Sequence, residues 1–200
     1  MLDKQSAATG RAAPGQQSAG RPLAGRMKPR VAFAGIVPYG VDHAGRPHLL
    51  LAREQYGAEA GRWSCFAGRP ETTDADGVLA TAAREGHEES SGLLGTREDL
   101  EKLLSVHGTR VDAPHGVHYV FPIQYSAYLP RMFQGVQAAI RAARGSGADP
   151  YHATLEKNAL QWVELGALQS AQLQLRRGFA ADLPELQRCI AALVSGPRAT

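Results

Sequence analysis

Cysteine is scarce, with only Cys65 and Cys189 in 200 residues. Two thiols cannot staple a small secreted scaffold, so the expectation is two free cysteines in a reducing, cytoplasmic setting. Charged residues make up only 20% and aromatic residues 6% of the chain, against 44% hydrophobic residues. That balance excludes wholly disordered, collagen-like and coiled-coil classes and is sufficient for a buried core. Also missing is any apolar run near the roughly 18 residues that a membrane span needs. The longest candidates, such as Pro47 to Ala52, are strand-sized, so no membrane partner is expected. The length fits one globular unit with room for an appendage.

The formal charge of +3 and isoelectric point near 9.0 point toward a polyanionic partner until the charge is divided along the chain. Residues 1–30 hold six of the 22 basic side chains (Lys4, Arg11, Arg21, Arg26, Lys28, Arg30) and one of the 19 acids, Asp3. The first 30 residues therefore carry +5 and the remaining 170 carry −2. The body is mildly acidic, which argues against a nucleic-acid-binding surface on it. Residues 1–30 are rich in Ala, Gly, Gln, Ser, Arg and Pro, and bury too little to offset the entropy of ordering. They are expected to be a disordered basic tail before a domain at 31–200. An organellar transit peptide shares this acid-poor composition, although Asp3 and the lack of an amphipathic face count against it.

Periodicity predicts the elements. Val31 to Val37 is a short apolar run closed by Pro38, Tyr39 and Gly40, hence a buried strand. His48 to Glu54 and Trp63 to Phe66 read as two more. From Gly77 to about Ser90 the residues Leu79, Ala82, Ala83 and Gly86 recur at helical spacing, with Asp74 or Asp76 as N-cap and Gly92 as the stop. Leu103 to Val111 and Val117 to Tyr128 read as strands joined through Asp112 to Gly116 in an antiparallel hairpin. Gly135 to Arg144 reads as a helix ending in a Gly145 to Pro150 break, Leu160 to Leu165 as the last strand, and Leu183 to Val194 as the closing helix. The interleaving predicts a mixed β-sheet covered by helices, of the α/β (α+β) class.

One run carries chemistry: Arg84-Glu85-Gly86-His87-Glu88-Glu89. Glu85, Glu88 and Glu89 stand at i, i+3 and i+4, so three carboxylates share one helix face and repel one another. A hard divalent cation bound through oxygen relieves such repulsion.

With the loop before it, this run resembles the Nudix hydrolase signature: a glycine, five residues, an acid, seven residues, then Arg-Glu, an aliphatic residue, any residue, Glu-Glu, any residue, glycine and an aliphatic residue. Phe66-Ala-Gly-Arg69 stands where the family commonly has Phe-Pro-Gly-Gly, and Asp76 lies eight positions before Arg84, as the family's first acid does. The resemblance covers residues 63–93. There are three departures: seven residues separate Gly68 from Asp76, Gly86 replaces the aliphatic residue, and Ser91 stands at the glycine position with Gly92 one step late.

The resemblance implies the Nudix fold, a mixed sheet sandwiched between helices, and an enzyme that hydrolyses a pyrophosphate bond in a nucleoside diphosphate linked to another group. It implies Mg²⁺ or Mn²⁺ held by Glu85, Glu88, Glu89 and the Gly68 carbonyl. Arg84 then orients a glutamate through charge-assisted hydrogen bonds, and Glu85, another glutamate of the trio or a loop carboxylate takes the proton from water. Glu156, six residues before Trp162, is the candidate loop carboxylate. The departures motivate a second reading, a non-catalytic Nudix-like module that binds a nucleotide or a protein. A third is hydrolysis of capped RNA, with the basic tail on its phosphates; no other nucleic-acid partner is expected.

Other features are weaker. Arg53 and Arg69 can reach phosphates but are ordinary as solvated side chains. His115 and His118 lack the further ligands of a zinc site. Trp63 and Trp162 read as core, and His87 as a solvent-facing residue.

Overall fold

Three long strands have apolar side chains at both even and odd positions, which marks a sheet buried on both faces. The computed structural model describes residues 32–74, 77–143, 155–168 and 173–196. The basic tail, Val31, Asp76 and the Gly145 to Pro150 break lie outside these residues. The elements run β1 (Ala34–Val41), β2 (Pro47–Glu54), β3 (Trp63–Ser64), β4 (Phe66–Gly68), α1 (Val78–Glu89), α2 (Arg97–His107), β5 (Thr109–Asp112), β6 (Val117–Pro122), α3 (Leu129–Ala143), β7 (Lys157–Glu164) and α4 (Arg177–Ser195).

The pleat sorts the core. Ala34, Ile36, Leu50, Ala52, Tyr119 and Phe121 pack with Ala82, Ala83, Leu100, Leu104 and Phe133 from α1, α2 and α3. Val37, Tyr39, Leu49, Leu51 and Val120 face the other way, against Phe179, Leu183, Leu186 and Ile190 of α4. The result is the expected mixed sheet between helices. Strand β1 runs parallel to β6 and antiparallel to β4 and β2. It changes partner midway: Ala34 to Ile36 pair with Gly68 to Phe66, and Tyr39 to Val41 pair with Leu49 to Pro47. This switch delivers Gly68 to the side of α1. Strand β2 also pairs with β3 and β7, and β5 with β6 forms the expected antiparallel hairpin.

Several boundaries differ from expectation. Strand β1 runs on through Pro38, because Pro38 lies in the gap between the β4 and β2 pairings, where that edge has no ladder partner. The Trp63 to Phe66 run divides at Cys65, its first part pairing with β2 and its second with β1. The stretch from Leu103 to His107 is helical, not extended. Thr96 and Asp99 form a reciprocal capping box that starts α2, and Leu100 and Leu104 are buried one turn apart. Helix α1 begins after Gly77 without a side-chain cap. Asp74 is occupied elsewhere, as described below.

The three departures around α1 divide between packing and loop length. A Cβ on Gly86 would overlap Ile36 Cδ1 and stand 3.2 Å from Leu100 Cδ1, so the small face of Ala82, Ala83 and Gly86 lets the helix lie close on β1. Ser91 adopts φ 55°, the left-handed backbone that glycine favours, and its hydroxyl accepts from Gln137 Nε2 at 2.6 Å. The Gly92 N–H then closes the helix on the His87 carbonyl at 2.8 Å. The longer spacing between Gly68 and Asp76 is a feature of the sequence, and its end at Asp76 lies outside the described residues.

Substituting Gly86→Val is expected to destabilise the fold by about 1–3 kcal/mol through overpacking. In chemical denaturation, the double variant with Ile36→Ala should lose less than the sum of the two single losses.

Candidate functional site

Helix α1 sets Arg84, Glu85, Glu88 and Glu89 along the flank that faces β4 and the loop after it. Arg84 is buried and forked. Its Nε donates to Asp74 Oδ1 at 3.1 Å, Nη1 to Glu88 Oε2 at 2.9 Å, and Nη2 to the Arg69 carbonyl at 2.9 Å while standing 2.9 Å from Glu85 Oε1. Burial opposes its charge, but the hydrogen bond to Asp74 and the charges of Glu85 and Glu88 outweigh burial and raise its pKa. Asp74 is likewise buried. Burial pushes its carboxyl up, while hydrogen bonds from the Glu71 N–H, Arg84 and Thr81 Oγ1 hold it below the usual range. Its role is to anchor Arg84 rather than to cap α1.

Glu85 lies over the backbone of Gly68; a Cβ there would overlap its carboxylate. Burial drives the Glu85 carboxyl up to about 7 against the pull of Arg84, with Glu88 and Glu156 adding repulsion. Glu88 is the outward member, part exposed and tied to Arg84. Glu89 is buried. The Ala67 N–H donates to its Oε2 at 2.9 Å and Lys157 Nζ stands 3.0 Å from its Oε1.

Lys157 was not singled out from the sequence, nor were Glu54 and Arg176. The Lys157 ammonium is completely buried and also donates to Glu54 Oε1 at 2.6 Å. That same Glu54 oxygen accepts from Ser64 Oγ at 2.7 Å and Arg176 Nη1 at 3.4 Å. Burial works against the Lys157 charge, but Glu89 and Glu54 overcome it and raise its pKa. One ammonium serves two carboxylates, so burial still pushes Glu89 up to about 8, with Glu85 and Glu54 adding repulsion. A hydrophobic strand ending in an acid was the one available signal, at Glu54. A register shift between Arg53 and Glu54 obscures the pairing that seats Lys157 beside it.

A cavity of about 290 Å³ brings Glu54, Gly68, Glu89, Glu156 and Arg176 together. Glu156 thus shares the cavity with Glu89 and its charge acts on Glu85, its backbone carbonyl fixed by the Gln55 N–H at 2.8 Å. Among the described residues, no three His, Cys, Asp or Glu side chains are gathered tightly enough to form a ready metal cage. Arg53 lies over Trp63 and donates to Asn158, while the Arg69 and Arg176 guanidiniums lie 5.7 and 5.5 Å from the Phe33 ring centre. His115 and His118 both meet Asp182. His87 does not face solvent alone; its Nδ1 lies 2.9 Å from the Gly95 carbonyl.

No protein-family model matches the sequence, and no curated protein matches it. Solved structures similar to this chain include a Nudix hydrolase from M. smegmatis, RenU, at 18% identity, covering 82% of this chain and 88% of that one with a TM-score of 0.45. Another is the Nudix domain of Shewanella oneidensis NrtR complexed with ADP ribose, at 12% identity, 82% and 89% coverage and a TM-score of 0.45. A third is a Nudix hydrolase from Alicyclobacillus acidocaldarius, at 18% identity, 86% and 100% coverage and a TM-score of 0.42. At these identities the likeness is one of fold.

Both raised carboxyls have a stability consequence. Glu85 and Glu89 have ordinary values of 4.5 and folded values of about 7 and 8. Across that window the folded chain keeps protons that the unfolded chain has released, so stability falls as pH rises. Urea midpoints measured with chelator present should be lower near pH 8 than near pH 5, and Glu89→Gln should flatten the slope.

Proposed function

We propose that this chain is a Nudix-type hydrolase that cleaves the pyrophosphate bond of a nucleoside diphosphate linked to another group, using Mg²⁺ or Mn²⁺. The observation that carries this reading is Glu85 seated on the bare Gly68 backbone, with Glu88, Glu89 and Glu156 around it and Arg84 behind. The donor set fits a hard divalent cation. Every candidate ligand is an oxygen, the bare Gly68 backbone admits the Glu85 carboxylate where a Cβ would collide with it, and burial together with neighbouring carboxylates raises Glu85 and Glu89.

Glu85, Glu88, Glu89 and the Gly68 carbonyl would hold the ion. When bound, Mg²⁺ or Mn²⁺ neutralises charge on the phosphoryl oxygens and acidifies water. The chain's own residues supply the rest. Arg84 holds Glu85 Oε1 and Glu88 Oε2, which fixes both carboxylates without reaching substrate. Glu85 would accept the proton of the attacking water, with Glu156, which lines the cavity beside Glu89 and whose charge acts on Glu85, as the alternative base. Lys157 and the Ala67 N–H hold Glu89 in place from behind. Arg176, on the cavity wall and held by Glu54, is the cation available to a phosphate oxygen.

The test is phosphate release from nucleoside triphosphates, nucleotide sugars, ADP-ribose, dinucleoside polyphosphates and capped RNA, with and without Mg²⁺. Turnover should require the ion. Glu85→Gln should lower kcat by about 10²–10⁴-fold, the range of a lost general base, and Glu156→Gln by less. A doubly substituted Glu85→Gln, Glu88→Gln protein that keeps wild-type turnover would sink the reading, and tight binding without turnover would assign the non-catalytic module instead. Arg176→Ala should raise KM more than it lowers kcat.

A further inference from the structure

Beneath α4 lies a second cavity of about 290 Å³, which shares Phe33, Glu59, Ala67 and Arg176 with the carboxylate site but has a different chemistry. Three residues from different elements meet on its wall. Cys65, between β3 and β4, places Sγ 3.6 Å from Nδ1 of His118 on β6. His118 Nε2 in turn lies 2.8 Å from Asp182 Oδ2 on α4. All three are buried, at 3%, 4% and 2% exposure. The other Asp182 oxygen accepts the His115 backbone N–H at 2.9 Å and meets the His115 ring at 3.1 Å, so the carboxylate is fixed.

This order of groups sets the direction of proton transfer. With Nε2–H donating to Asp182, the lone pair of His118 sits on Nδ1 and faces the thiol. Burial pushes the Cys65 thiol up to about 12, so at rest the sulfur keeps its proton. Such a nucleophile needs a base at the moment of attack, as a serine hydroxyl does. His118 is placed to be that base. Phe33 and Phe179 give the cavity apolar walls, and Arg176 gives it one cation.

We propose that this cavity is a thiol-centred reactive site in which Cys65 adds to the conjugated double bond of a small unsaturated carbonyl compound bearing an acidic group. His118 is the base and Asp182 the positioning residue. The Cys65 proton passes to His118 Nδ1 as sulfur bonds to the β-carbon. The π pair of the carbon–carbon bond moves toward the carbonyl, and His118 returns the proton to the α-carbon. Nothing leaves and no oxidant is needed. The apolar walls take the hydrocarbon part and Arg176 the acid.

The experiment is peptide-mapped mass spectrometry of the full chain treated with N-ethylmaleimide or 3-maleimidopropionic acid, with Cys189 as internal reference. Cys65 should react at least about tenfold faster than Cys189 and should favour the acidic reagent. His118→Gly should slow Cys65 by about tenfold or more without changing Cys189, and free imidazole should restore it. Asp182→Asn should also slow Cys65, with partial recovery in Asp182→Glu. The proposal is overturned if Cys65 reacts no faster than Cys189, or if loss of His118 leaves its rate unchanged or beyond rescue by imidazole. The wild-type ratio of the two rates needs no variant, and His118→Gln replaces His118→Gly should the latter not fold.

Discussion

A buried guanidinium on the same helix as three glutamates sets the terms for the candidate site. Arg84 touches Asp74, Glu85, Glu88 and the Arg69 carbonyl, so it ties the loop after β4 to α1 and fixes two of the carboxylates at once. Removing one partner from a buried charge cluster leaves uncompensated charge, which is far costlier than losing a surface pair. The arrangement holds because each arm of the fork has a fixed acceptor. Without it Glu85 and Glu88 would lose the cation they share, and only Glu89 would keep its partners, Lys157 and the Ala67 N–H.

A second cation repeats the idea from the opposite side. Lys157 enters from β7 and is shared by Glu54 and Glu89, while Arg176 reaches Glu54 from the segment before α4. The carboxylate face of α1 is thus backed by two separate cations, Arg84 and Lys157, rooted in different parts of the chain. Neither exhausts the negative charge, which is why burial still raises Glu85 and Glu89. That surplus is the electrostatic feature on which the proposed metal dependence rests.

The helix with its acids was legible because helical spacing and charge coincide in six consecutive residues. So were the buried sheet, from its two-faced apolar runs, and the closing helix. What was not legible depended on contacts across the fold. Helix α2 was missed because its two buried leucines are too few to outweigh a β-prone stretch near Val106, and its capping box is short. Asp74 reads locally as a cap, and only the approach of Arg84 gives it another task. Lys157 and Glu54 stand 103 residues apart, and nothing in either segment announces the other. The Gly86 departure looks like a helix defect in isolation, and becomes a packing requirement only when Ile36 is set beneath it.

Pro38 has a consequence beyond its tolerance in β1. It sits where the strand hands over from one antiparallel neighbour to the next, at the spot on that edge which asks for no donor. A slip by one position would carry the proline ring into a pairing that needs an N–H, and would turn every apolar side chain of the strand to the wrong layer. The residue therefore works as a stop against misalignment, and Gly35 and Ile36 meet Ala67 and Phe66 in one frame only.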